Sequence, residues 1–212
     1  MLHLIFDLDG TLLNSSECIM GVYKKLFQEL NLPTPDISVL RSFIGPPIEH
    51  VIKDYVKEED IKATCTHFRE VYKTFDLGKV NSLYDGVEPL LKSLSEDYKL
   101  YLATTKNEFT AKKILDIFNI SQYFTGAFGS RHDLGRLHKV QVLEELINTY
   151  GIDKDDCILI GDTHYDAEGA LLANIPVCIV NYGFGIEEEL AKYDILFRAD
   201  NLSILEQKIR AL

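Results

Sequence analysis

The 212-residue chain is 46% hydrophobic and 26% charged, the composition of an ordinary globular domain, or of one domain carrying an insertion. Its 33 acidic against 22 basic residues leave a formal charge of -11, which argues against an extended nucleic-acid surface. A small anionic substrate stays open, because a metal and one lysine can reverse the local sign.

No apolar run reaches membrane-spanning length, and the N-terminus has no basic region or cleavage site. Cys18, Cys65, Cys157 and Cys178 are scattered without a CxxC pair. Reduced core thiols in a cytoplasmic protein are expected, not disulfides or zinc. The six histidines form no HExxH-type pair, and His132 and His138 read as loop residues.

The first element is an apolar strand, Leu2 to Phe6, buried on both faces, which runs into Asp7, Leu8, Asp9, Gly10 and Thr11. An Asp-Gly turn accounts for Asp9 but gives no reason for Asp7 at the end of a buried strand. Alternation sends both carboxylates to one side, where they could share a hard cation or divide nucleophilic and proton-transfer roles.

From residue 15 to about 77 the apolar positions keep helical spacing. Four stripes are predicted: Ile19 to Leu30, Ile37 to Ile44, Ile48 to Val56, and Ile61 to Phe75. No strand-like run interrupts them, so this segment reads as an all-helical insertion packed as a small bundle. Arg41, His50 and Lys53, near Gly45-Pro46-Pro47, are its candidate substrate contacts, against the plainer reading of an exposed polar face.

After Tyr84-Asp85-Gly86 strands and helices alternate. Strands are predicted at Leu100–Ala103, Phe124–Phe128, Cys157–Ile160, Val177–Val180 and Ile195–Phe197, with helices between them and a last helix from Ser203 to Ala211. This pattern specifies an α/β fold with a doubly wound parallel sheet. Ligands of such sheets sit at the carboxyl ends of the strands. The polar clusters fall there: Asp7/Asp9, Thr104/Thr105 and Asp162/Asp166, with Lys139 at a helix start on the same edge. Converging carboxylates need a compensating cation or lysine. An all-oxygen set without thiolate or imidazole selects Mg²⁺ over zinc, and metal, lysine and hydroxyls together suit a phosphate.

Phe6-Asp7-Leu8-Asp9-Gly10-Thr11, Thr104, Lys139 and the GDxxxD run Gly161-Asp162-Thr163-His164-Tyr165-Asp166 resemble, in this order, the four motifs of the haloacid dehalogenase superfamily of aspartate-dependent phosphotransferases. The resemblance covers nearly the whole chain. Ile44-Gly45-Pro46-Pro47 and the helical insertion look like the cap of its phosphoglycolate-phosphatase-like branch. One departure is Val140, where a proline often follows the lysine, so Lys106 remains a rival to Lys139.

The resemblance implies a Rossmann-like core of residues 1–14 and 84–212, a helical cap of residues 15–83, and a Mg²⁺-dependent phosphatase acting on a small phosphorylated metabolite. Asp7 would be the nucleophile and Asp9 the acid and base. Asp7, the Asp9 carbonyl and Asp162 would hold the metal, while Asp166 supports its outer ligands or the lysine. Thr104 and the amides of Leu8 and Thr105 would hold phosphoryl oxygens. Phosphoglycolate, nucleoside monophosphates and sugar phosphates all remain as substrates, and the chain as a monomer or a homodimer.

Asp9 argues against a dehalogenase or phosphonoacetaldehyde hydrolase. Ile19 and Pro46 stand where β-phosphoglucomutase-like enzymes carry a histidine and an arginine. Of the readings from another class, a phospho-accepting receiver module lacks the Asp-x-Asp spacing and a helical insertion of this size, and a non-catalytic regulatory protein is disfavoured because every motif position is filled.

Overall fold

The computed structural model describes residues 2–212. Leu4, Ile5 and Phe6 expose no surface, as a strand covered on both faces requires. This strand, β1 (His3–Phe6), lies inside a six-stranded sheet. The short strands β2 (Leu13–Asn14) and β3 (Ser82–Leu83) form a separate two-stranded sheet. The others are β4 (Lys99–Asn107), β5 (Phe124–Ser130), β6 (Cys157–Gly161), β7 (Val177–Val180) and β8 (Phe197–Ala199), in the order β5-β4-β1-β6-β7-β8. All five pairings are parallel.

The chain steps from β1 outward through β4 to β5, then returns to the other flank of β1 for β6, β7 and β8. That reversal opens a crevice at the carboxyl end of β1. Phe6 stands opposite Leu102 of β4 and Ile160 of β6. Asp7, Thr104 and Asp162, which follow these positions by one or two residues, therefore lie at one edge, and the Asp7 N–H still donates to the Ile160 carbonyl at 2.8 Å.

The helices are α1 (Ser16–Glu29), α2 (Ile37–Ser42), α3 (Ile48–Ile52), α4 (Ile61–Lys73), α5 (Leu77–Val80), α6 (Val87–Asp97), α7 (Glu108–Ile117), α8 (Lys139–Tyr150), α9 (His164–Ala173), α10 (Glu187–Leu190) and α11 (Leu202–Ile209). Val142, Leu143, Leu146 and Ile147 of α8 join Ala167, Ala170 and Ala173 of α9 in one core with Ile5, Tyr101, Ala103 and Leu159 of the sheet. Alanines on α9 keep that helix close to its neighbours.

The chain divides into two compact units, residues 2–14 with 83–212, and Ser15–Ser82. The second unit is helical, with an aromatic core. Tyr23 lies 4.9 Å from Phe43 and 4.9 Å from Phe68, and Phe27 lies 4.9 Å from Tyr55. Where the chain leaves and re-enters the first unit, the Tyr84 N–H donates to the Leu12 carbonyl at 3.1 Å.

The architecture matches the α/β, doubly wound reading, with local differences. The third helical stripe stops at Ile52, short of Val56, and α5 and α10 were not anticipated. β4 continues through Thr104-Thr105-Lys106 to Asn107, with its pairing to β5 interrupted between Ala103 and Asn107. The last strand is Phe197–Ala199 and not Ile195–Phe197, because pairing with β7 sets Phe197 opposite Cys178 and Ala199 opposite Val180. The four cysteines are buried and free.

Candidate active site

Asp7 follows β1 directly and is 6% exposed, while Lys139 opens α8 and is 5% exposed. The Lys139 ammonium donates to Asp7 Oδ1 at 2.5 Å and to the Ala103 carbonyl at 2.9 Å, and pairs with Asp166 Oδ1 at 2.8 Å. The ammonium thus faces three oxygens, two of them carboxylate. Gly169 of α9 makes room for its stem: a Cβ there would lie 2.4 Å from Lys139 Cγ. The two carboxylates hold Lys139 firmly protonated against the cost of burial. Lys139, and not Lys106, is thus the lysine beside Asp7.

Asp162 follows β6 and is 1% exposed. Its Oδ1 accepts from the Thr11 hydroxyl at 3.1 Å, and its Oδ2 from the Phe184 N–H at 2.7 Å. The backbone passes close on both sides. Gly10, at φ 87, and Gly183 would each drive a Cβ to within 2.6 Å of the Asp162 side chain. Gly10 therefore meets two demands, a left-handed turn and the absence of a side chain. Tyr182 closes this corner, donating to the Thr11 carbonyl at 2.8 Å and meeting Tyr84 with ring centroids 4.8 Å apart.

Asp166 is a helix cap and an ion-pair partner at once. With Thr163 it forms the capping box of α9, its Oδ2 accepting from the Thr163 N–H at 3.0 Å and the Thr163 hydroxyl at 2.9 Å. The Asp162 N–H, at 3.2 Å, also reaches this oxygen. Its other oxygen faces Lys139.

Asp9 turns to a different lysine. Lys106 donates to Asp9 Oδ1 at 3.0 Å and Oδ2 at 2.8 Å. Thr104, 1% exposed, accepts the Lys106 N–H on its hydroxyl at 3.2 Å. Leu8 is buried and Thr105 exposed at the same edge. Arg41, His50 and Lys53 are exposed residues of the helical unit.

Beyond Lys106, Glu108 accepts from the Gly129 N–H at 3.2 Å and binds Arg136, which donates to the Gly129 carbonyl at 2.8 Å and pairs with Glu145 at 2.7 Å. Burial opposes ionisation of Glu108, but hydrogen bonds from Lys112 and Gly129 and the Lys112 and Arg136 charges hold its carboxyl below the usual range. Glu108→Gln leaves the Arg136 charge half-paired and should cost about 3 kcal/mol of stability at pH 7. A depressed carboxyl stabilises above its unfolded pKa, so the gap to wild type should close as pH falls below about 4. Urea midpoints of both proteins across pH 3 to 7 check this; coincident midpoints at pH 7 refute it.

Asp7, Asp162 and Asp166 each bring an oxygen within 4.8 Å of the others, against one ammonium. Burial, with repulsion from neighbouring carboxylates, raises Asp162 well above the ordinary carboxylate range and Asp7 to about 6, the latter despite Lys139. Asp166, whose burial is outweighed by Lys139 and the Thr163 bonds, is lowered. The cluster is short of positive charge and offers only oxygen, which fits a hard divalent cation. Asp166 pairs with Lys139 through Oδ1 and caps α9 through Oδ2. The Asp9 carboxylate is not part of this cluster.

Sequence reasoning missed the Thr11 hydroxyl, the Phe184 amide and the Arg136 clasp. Thr11 was legible as a hydroxyl beside two carboxylates, and Gly183-Phe184-Gly185 as a loop built for close approach; nothing in the spacing announced Arg136.

The family model of the haloacid dehalogenase-like hydrolases matches residues 4–180. The 5'-nucleotidase of Pseudomonas aeruginosa is 30% identical over 99% of this chain and 96% of its own length. Tyrosine-protein kinase PtkA of Mycobacterium tuberculosis is 31% identical over 85% of this chain, which spans 62% of that protein. The crystal structure of a predicted phosphatase from Clostridium acetobutylicum, 34% identical, superposes with a TM-score of 0.92 over 100% of this chain and 99% of that one.

Proposed function

The chain belongs to the haloacid dehalogenase-like hydrolase family, and from that membership we propose that it is a Mg²⁺-dependent phosphatase cleaving a small phosphate monoester through an aspartyl phosphate on Asp7. The observation that carries the reading is the division of two aspartates between two lysines. Asp7 is held by Lys139 beside Asp162, and Asp9, two residues on, is held by Lys106 outside that cluster.

Asp7, Asp162 and the Asp9 carbonyl would hold the metal, which when bound neutralises the carboxylates and withdraws charge from the phosphoryl oxygens. Lys139 fixes the Asp7 carboxylate in place, limiting the reorientation needed for attack. Asp7 attacks phosphorus while Asp9 delivers a proton to the departing oxygen. Asp9 then takes a proton from the water that hydrolyses the aspartyl phosphate. Thr104 and the amides of Leu8 and Thr105 would bind phosphoryl oxygens. The helical unit Ser15–Ser82 would act as the cap that selects the leaving group, with Arg41 and His50 as its candidate contacts. The setting is cytoplasmic, and the partner is a small phosphorylated metabolite.

The test is phosphate release from phosphoglycolate, nucleoside 5'-monophosphates, hexose phosphates and pyrophosphate. Turnover should require Mg²⁺, vanish in excess EDTA and return when Mg²⁺ is restored. Release that persists in EDTA, or no release from any ester by a folded protein that binds Mg²⁺, refutes the proposal.

A further inference from the structure

We infer that Lys106 is a positioning residue for Asp9, fixing its carboxylate as the group that exchanges a proton with the leaving oxygen; this rests on the phosphatase reading above. One ammonium spans both oxygens of Asp9, at 3.0 and 2.8 Å. Both partners sit low in the edge of the core, their side chains 8% and 21% exposed. A single donor reaching both oxygens constrains the rotation of the carboxylate about its last bond, which one contact to one oxygen leaves free.

Lys106 is itself held on several sides. Its N–H is bound by the Thr104 hydroxyl at 3.2 Å, where β4 has left its ladder with β5. A Cβ on Gly129 would come within 2.5 Å of its carbonyl oxygen, so Gly129 sits directly against this backbone. Two residues later Glu108 is clasped by Arg136 and by the Gly129 amide. The segment is over-determined in the way a group that must aim another group requires.

The chemistry gives the arrangement a use. When the bond from phosphorus to the leaving oxygen breaks, the electron pair stays on that oxygen and takes the Asp9 proton. The negative charge then left on Asp9 lies against an ammonium already in place, with no reorganisation needed. Asp9 next accepts a proton from the water whose oxygen bonds to phosphorus, and the cycle closes. Lys139 is turned the other way, its ammonium donating to Asp7 and Ala103 and pairing with Asp166.

The test compares esters that differ in their need for a proton. For an alkyl ester, chosen as whichever of phosphoglycolate, AMP and glucose 6-phosphate the wild type turns over fastest, Lys106→Met should lower kcat/KM about 100-fold, mostly in kcat. For p-nitrophenyl phosphate, whose leaving group departs as the anion, the loss should stay below about tenfold. Lys106→Arg, which keeps a charged donor on Asp9, should recover part of the alkyl rate. Thermal midpoints confirm folding; Asp9, partly exposed, can hydrate once the lysine is gone, and Lys106→Gln is read the same way if the methionine variant does not fold.

Equal losses on both esters, a change confined to KM, or no loss would overturn the inference. If the wild type releases phosphate and Asp7→Asn does not, such a result removes the role of Lys106 alone. If the wild type releases no phosphate from any ester, the phosphatase reading falls and this inference with it.

Discussion

Asp7→Asn should reduce phosphate release from the best ester by about four orders of magnitude or more while the chain stays folded. The amide keeps the size of the side chain and removes the charged oxygen proposed to attack phosphorus. Its effect on stability should run the other way. Asp7 is driven up to about 6 by burial, which Lys139 only partly offsets and the Asp166 charge reinforces.

A carboxyl whose folded pKa exceeds its unfolded value binds its proton more tightly in the native state. Stability is then complete below about pH 4 and is lost as pH climbs through about 6. Metal-free wild type should accordingly lose ground to Asp7→Asn across that interval, and saturating Mg²⁺ should narrow the difference. Melting curves from pH 4 to 8, with and without the ion, measure it. A wild type that gains on the variant as pH rises would mean that Asp7 is stabilised as an anion by Lys139 alone.

Lys139→Met should have the larger effect on the fold. The ammonium is the positive group lying between Asp7 and Asp166, with Asp162 close by, and methionine keeps the stem against Gly169 without the charge. Breaking a buried pair by removing one partner costs about 3–5 kcal/mol, because the remaining charge stays desolvated. Part of that loss should be recovered at saturating Mg²⁺, which binds the native carboxylates far better than the unfolded ones. Turnover should fall about 1000-fold even with the metal bound, since Asp7 loses its anchor. Equal denaturant midpoints for the variant with and without Mg²⁺ would separate Lys139 from the acidic cluster.

The parts legible in advance were those written in local sequence. An apolar run ending in Asp7-x-Asp9, the Gly161-Asp162 turn with Asp166 four residues on, and a lysine opening an apolar helix each announce position through spacing within a few residues. Parallel topology then brings them to one edge. Contacts decided between distant segments were not legible. Lys106 and Asp9 meet across 97 positions, and Thr11 and Asp162 across 151. Which of two lysines reaches Asp7 depends on side-chain reach over the sheet edge, and Val140 in place of proline left that open. β8 was misplaced for a related reason: Ile195-Leu196-Phe197 carries the apolar signal, but the register with β7 is set by backbone pairing, and Leu196 is 49% exposed. The short helices α5 and α10 span a single turn each, too few residues to carry a period.

The hydrogen bond from Tyr84 to the Leu12 carbonyl has a meaning for how the chain is wired. It brings the exit and return of Ser15–Ser82 to adjacent points, so the sheet-bearing unit experiences the whole inserted unit as one closed loop. Loop-closure entropy grows only with the logarithm of length, each doubling costing about 0.6 kcal/mol. The sheet is therefore only weakly sensitive to how long the insertion is. An insertion of another length should then leave undisturbed the register that brings Asp7 beside Asp162.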